Sequence, residues 1–227
     1  MAENASQTKI NATRGYGAEV LIYGRNSNDV INKSMEIAKA EDLTLLSPFE
    51  DDYLIAGHGT IGLEVMKEKP DTEVIFCPIG GGALISGITL AIKAKNSKVK
   101  IIGVEPENAN AMWLSLKQNS VVEKENVNTI ADGLALKKPG IKPFGIVHKY
   151  VDDVVLVTED EIKKALVFLL ERAKLLVEPS GAVSVAAAIS NPLNMKDKEV
   201  VTILSGGNID LDKLNQILKD EISSIKE

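Results

Sequence analysis

Glu73-Val-Ile-Phe-Cys-Pro-Ile79 runs directly into Gly80-Gly81-Gly82-Ala83-Leu84, and this junction decides the fold. A short apolar run bounded by turn residues is the pattern of a parallel strand buried on both faces. The residues after the glycines read as a helix to about Lys95, and VKIIGVE (99–105) reads as the next strand. Downstream, a helix is expected near 108–118, then an irregular stretch over 119–149. VDDVVLV (151–157) is a further strand, Glu159–Lys174 an amphipathic helix, and SGAVSVAAAIS (180–190) a small-residue helix. EVVTILS (199–205) supplies a last strand before Gly206-Gly207 and a helix from about Leu211. Upstream, residues 5–15 read as a helix with Ser6 as N-cap and Gly15 or Gly17 as stop. AEVLIYG (18–24) and LTLL (43–46) read as strands, with a helix opening at Ser27-Asn28 between them. SPFEDD (47–52) has turn chemistry and marks a domain boundary, after which Thr60 is expected to cap a helix reaching Lys67. Strand, turn and helix in repeated succession predict an α/β fold, a mostly parallel sheet with helices on both faces.

Composition removes several classes of function. The chain has 227 residues, 44% hydrophobic and 26% charged, enough for a sizeable core and unlike a disordered segment. A net charge of −6 argues against nucleic acid as a partner. No run of eighteen apolar residues is present, so no membrane span is expected. The polar start MAENASQTK lacks a signal peptide's apolar core, so a cytoplasmic setting is expected. The lone Cys77 excludes a CxxC metal site, and its apolar flanks make it a packing residue. All but three of the 26 basic residues are lysines, which leaves little for bidentate arginine clamps on an anion. Backbone N–H groups should therefore do most of any phosphate binding.

In open α/β sheets, ligands sit outside the carboxyl ends of strands, so the two glycine turns are the places to look. Consecutive glycines at 80–82 let N–H groups converge, and the following helix adds positive potential at its N-terminus. A Walker loop is excluded, because Gly82-x4-Gly87 is followed by Ile88-Thr89 and not by lysine and a hydroxyl residue. A dinucleotide fingerprint starting at Gly80 would need glycine where Ile85 stands, yet Glu105 has the spacing of a ribose-binding acid. The second turn, Leu204-Ser205-Gly206-Gly207-Asn208, would project the Ser205 hydroxyl toward the same crevice. Together the turns suggest a flat ligand with phosphate at one end and a polar ring atom at the other.

Several motifs in collinear order carry a resemblance. FCPIGGGALISGITLAIKA (76–94), IIGVEPENANAMWLSLK (101–117), AGHGTIGLEV (56–65), TIADGLA (129–135), VDDVVLVTEDEI (151–162), LLVEPSGA (175–182) and LSGGNIDL (204–211) resemble the pyridoxal-phosphate-dependent threonine/serine dehydratases and serine racemase. The resemblance implies that Gly80, Gly81, Gly82, Ala83 and Leu84 cradle the cofactor phosphate, with Ala83 where the family commonly has a fourth glycine. Ser205 then meets the pyridine nitrogen, and Glu178 lies near the ring. Glu105 and the carbonyl of Ala109 resemble a divalent-cation site, although its further carboxylate would fall at Ala111, which has none. His58 stands where the family commonly has glutamine and is expected to be structural. Asp132 matches the family's Ala-Asp-Gly motif in either a site or a turn role.

The implied function is deamination of L-threonine or L-serine to a 2-oxo acid and ammonia, by a homo-oligomer. Two family segments have no counterpart here: the Ser-Phe-Lys segment with the Schiff-base lysine, and the loop that holds the substrate carboxylate. The expectation is therefore of a chain lacking an N-terminal third. Residues 1–46 would be the remainder of a small domain and 47–227 a large cofactor-binding domain. No catalytic residue is expected within this chain, and it should be inactive alone. The alternatives are a non-catalytic cofactor- or anion-binding fragment, and serine racemase-like activity in the full-length protein.

Overall fold

The computed structural model describes residues 1–3, 5–25, 27–190 and 193–224. They group into two compact units, 48–207 and a smaller one made of 1–47 with 208 onward. The first break falls within the turn at 47–52. The C-terminal segment groups with the small unit, not with the large one.

The large unit is built on a parallel sheet. Strands β1 (Val74–Pro78), β2 (Lys100–Pro106), β3 (Asp153–Val157) and β4 (Val200–Thr202) lie in the order β3-β2-β1-β4. β1 pairs in register Val74 to Lys100 with β2 and Val74 to Val200 with β4, and all five of its residues are buried. A central strand covered on both faces has no solvent side, which is why its sequence is continuously apolar. The expected α/β fold is thus the observed one. Cys77 lies wholly buried in this strand, where burial pushes its thiol pKa up, so it packs and does not react.

Helices α3 (Asp52–Glu68), α4 (Ala83–Lys95), α5 (Ala111–Gln118), α6 (Ile141–Tyr150), α7 (Glu159–Phe168) and α8 (Pro179–Ser190) cover the sheet. α3 begins eight residues before the expected cap. Asp51 is the N-cap, its carboxylate accepting from Leu54 N at 2.9 Å, while Thr60 lies mid-helix and bonds back to the Gly57 carbonyl. The glycines at 57, 59 and 62 obscured this helix in sequence. Two of them serve packing, since Gly59 and Gly62 lie against the α4 backbone at Gly87 and Ile88. α6 falls inside the stretch expected to be irregular. Pro143 is in its first turn, where a missing N–H costs no intrahelical bond. α7 carries a full capping box between Thr158 and Glu161. It passes into a five-residue π turn, and Lys174 in the left-handed region stops it. In α8 every residue from Pro179 to Ala187 is buried. Its small side chains permit close approach, and a Cβ on Gly181 would lie 2.5 Å from the Gly206 carbonyl oxygen.

The small unit holds α1 (Gln7–Gly15), α2 (Ser27–Ala40) and α9 (Leu211–Ser224). Ser6 caps α1 as expected. The strands expected at 18–24 and 43–46 do not form among the described residues. A strand exists only through a continuous hydrogen-bonded ladder, and segment 18–24 has a short contact with residues 1–3, Met1 N to Leu21 O at 2.6 Å, Tyr23 N to Met1 O at 2.9 Å and Glu3 N to Gly24 O at 2.8 Å, that does not extend into one. Leu21, Tyr23, Leu43, Leu45 and Leu46 remain exposed as a result.

Asp210 holds the end of this unit to its start. Its Oδ1 accepts from Ser6 Oγ at 2.8 Å, Thr8 N at 3.0 Å and Thr8 Oγ1. The Thr8 side-chain bond leads these in pulling its pKa down to about 2. A folded pKa below the unfolded one contributes stability that is full above about pH 4 and lost as pH falls toward 2. Asp210→Asn should therefore lower Tm at neutral pH and flatten the acid limb of a Tm-against-pH profile. Parallel acid limbs for both proteins would contradict this.

Candidate functional site

The strand order places a topological switch point between β1 and β4. From β1 the chain steps to β2 and β3 on one side, then returns to β4 on the other. Crevices form where successive connections leave in opposite directions, at the carboxyl ends of the two strands. Both glycine turns flank this crevice, Gly80–Gly82 after β1 and Ser205–Gly207 after β4.

The first turn is a set of donors without acceptors. None of the six consecutive N–H groups from Gly80 to Ile85 donates to a protein group among the described residues. Gly82 is the N-cap of α4 and offers no side-chain cap. Such a helix end gathers partial positive charge and uncommitted donors at one point. The backbone also requires glycine. Gly82 has φ +97°, and a Cβ there would lie 2.7 Å from Pro143 Cβ and 2.9 Å from Met112 Cε. A Cβ on Gly81 would lie 2.4 Å from the Phe49 ring. An anion with several acceptor oxygens fits this cradle, and a cofactor phosphate is such an anion.

The remaining expected residues converge through a chain of close contacts. A Cβ on Gly80 would meet the Gly133 carbonyl at 3.3 Å, and Gly133 N donates to Ser180 Oγ at 2.9 Å. Glu178 N donates to the Gly206 carbonyl at 3.0 Å, and Glu178 Oε1 would lie 2.4 Å from a Cβ on Gly206. Gly80, Glu178 and the turn carrying Ser205 therefore border one region. Ser205 is exposed three residues beyond the end of β4, and its hydroxyl has no hydrogen-bond partner among the described residues. Gly133 and Ser180 were not singled out from sequence, although both lie in quoted motifs. Only their contact across the fold marks them. Asp132, beside Gly133, is exposed.

Glu105 and Ala109 lie elsewhere, at the end of β2. Glu105 is buried, with Oε1 accepting from Met112 N at 2.9 Å and Oε2 from Trp113 N at 2.7 Å. Burial pushes its pKa up to about 8, against the pull of those two amides and of the Lys124 ammonium. Its carboxyl group caps α5 through both oxygens, a structural role that accounts for the residue without a ribose. A divalent cation does not fit here. Each Glu105 oxygen already accepts one amide, Ala111 supplies no carboxylate, and no group of three His, Cys, Asp or Glu side chains able to hold a metal occurs among the described residues, so a hard cation finds too few oxygens.

His58 is half-buried on α3 and sits against α4 at Gly87, and burial lowers its imidazole pKa from the usual value. His148 is exposed and contacts Asn119 Oδ1 at 3.0 Å. No helix of the described residues is long and apolar enough to cross a membrane.

Comparison with known proteins shows the family. A threonine ammonia-lyase from Thermotoga maritima is 44% identical over 218 residues, covering 96% of this chain and 54% of that protein. The chain thus spans about half the length of this relative. The solved structure of processed threonine deaminase isoform 2 from Solanum lycopersicum superposes with a TM-score of 0.89 at 35% identity, covering 96% of this chain and 64% of that one. Maize serine racemase superposes with a TM-score of 0.89 at 31% identity, covering 100% of this chain and 70% of that one. The family model described as pyridoxal-phosphate dependent enzyme matches residues 1–206, from the start of the chain into the second glycine turn, and the chain belongs to that family.

Proposed function

We propose that the crevice at the β1/β4 switch point binds pyridoxal phosphate, and that the whole protein deaminates L-threonine or L-serine to a 2-oxo acid and ammonia. The observation that carries this reading is the run of uncommitted amides from Gly80 to Ile85, one strand away from the free hydroxyl of Ser205. The activities for which the Thermotoga and tomato relatives are named support the substrate class.

When bound, the cofactor supplies an electron sink for the amino acid's Cα carbanion. The chain's own groups hold and tune it. Amides of Gly80, Gly81, Gly82, Ala83 and Leu84 take the phosphate, and Ala83 loses nothing by having a methyl, because its N–H is the functional part. Ser205 offers the pyridine nitrogen a neutral hydroxyl where a carboxylate would hold a full positive charge on the ring. A weaker sink suits β-elimination, in which the electrons leave promptly with the hydroxyl. Glu178 stands beside the ring end of the crevice.

In this reading no lysine of this chain anchors the cofactor. Lys93 Nζ is committed to Asp152 at 2.7 Å and the Val99 carbonyl at 2.9 Å. Lys117 lies over the Trp113 ring, and Lys174 bonds to the Glu171 carbonyl at its helix stop. The divalent cation is not part of the reading, and the protein acts in the cytoplasm as a homo-oligomer. The exposed leucines of the small unit support self-association.

The test is a pyridoxal phosphate titration of the purified chain, with light scattering on the same sample. We expect reversible binding, competition by inorganic phosphate, no single lysine labelled stoichiometrically after borohydride, and an assembly larger than a monomer. Threonine should give no 2-oxobutanoate until a polypeptide matching the relatives' N-terminal third is added. One stoichiometrically labelled lysine with turnover would place the anchoring residue in this chain. Bound cofactor that stays inactive after that addition would favour the non-catalytic binding reading.

A further inference from the structure

The misfit between the end of β2 and a divalent cation has a positive counterpart. Lys124 extends into the same loop cluster, its Nζ 2.7 Å from Asn110 Oδ1 and 3.4 Å from the Glu107 carbonyl. These oxygens flank Ala109, whose carbonyl would be the cation ligand beside Glu105. Lys124 is half-buried, its backbone N–H is held by the Lys137 carbonyl at 2.8 Å, and its charge acts on Glu105. A compact, hydrated ammonium with three donors can satisfy several oxygens as a hard cation would.

We propose that Lys124 is a built-in cation, whose ammonium docks the 107–110 loop and the start of α5 through their neutral oxygens, without any divalent metal. The consequence reaches the crevice, because Met112, anchored on Glu105 through its N–H, supplies the Cε that closes the back of Gly82. Lys124 is thus a positioning residue, held by charge and not by shape. This inference does not rest on the cofactor assignment, and its test uses no cofactor.

The experiment compares thermal unfolding of the full chain with its Lys124→Met and Lys124→Arg variants, each with MgCl2, CaCl2 or MnCl2 against NaCl of equal ionic strength. The wild type should show no saturable rise in Tm up to about 10 mM divalent salt, where a site with submillimolar affinity would register. Lys124→Met should lower Tm by roughly 4 °C, and Lys124→Arg should recover most of that loss. A saturable rise of the wild-type Tm with any one of these metals overturns the proposal, whatever the variants do. So does a Lys124→Met protein as stable as wild type, or a Lys124→Arg protein as unstable as Lys124→Met.

Discussion

Gly82→Asp is expected to abolish phosphate and pyridoxal phosphate binding. Three effects act in the same direction. At φ +97° an L residue is strained by about 1–2 kcal/mol. Its Cβ would press on Pro143 Cβ and Met112 Cε, pushing α5 and α6 from the cradle. The carboxylate would also stand at the N-terminus of α4, repelling a phosphate and competing for the same donors. Aspartate is ordinarily a good N-cap, but capping uses an extended backbone that this turn does not have. We expect affinity to fall at least ~100-fold, about 2.8 kcal/mol. Far-UV circular dichroism would show whether the variant folds. Wild-type competition between inorganic phosphate and pyridoxal phosphate gives an independent reading. A folded variant with unchanged affinity, or a wild type indifferent to phosphate, would retire the assignment.

Gly87→Ala should be the most destabilising methyl group that can be added to α4. Its Cβ would lie 2.1 Å from the Ile55 carbonyl oxygen and 2.8 Å from Gly59 N, both backbone atoms of α3. A flexible side chain could rotate away, but backbone within a helix cannot. Alanine gains about 1 kcal/mol of helix propensity over glycine, while overpacking costs about 1–3 kcal/mol and more against a rigid neighbour. The packing term wins, and a net loss near 2 kcal/mol lowers Tm by roughly 4–8 °C. Gly57→Ala provides the opposite sign. Gly57 is exposed on α3 with nothing near its Cβ position, so the same change should stabilise by about 1 kcal/mol. Denaturant or thermal unfolding of both variants checks the pair. A stable Gly87→Ala protein would mean that α3 and α4 do not cross as closely as described.

Several features of the site depend on contacts that no local pattern encodes. The amide cradle was legible because one run of sequence, 76–84, supplies strand, turn and helix together. Ser205 was legible as the end of a second strand. Gly133 and Ser180 were hidden, since each reads as an ordinary turn or helix-start residue until the fold puts them 2.9 Å apart. Glu105 shows the reverse case. Its spacing suited a ribose-binding acid and its resemblance suited a metal ligand, but the two amides of α5 had already claimed its oxygens.

By itself the sequence determined the buried parallel strands, the glycine turns and the family. These rest on local causes: continuous apolar runs, the φ values open to glycine, and capping groups such as Ser6. It also showed strand-forming composition at 18–24 and 43–46. Whether those segments become strands was decided by tertiary structure alone, because a strand needs a partner's backbone and propensity cannot supply one. The same physics governs α3, where glycines that weaken an isolated helix are the residues that let it lie against α4. Pairing, close approach and the destination of each buried polar atom are properties of two segments at once, and only the folded chain holds both.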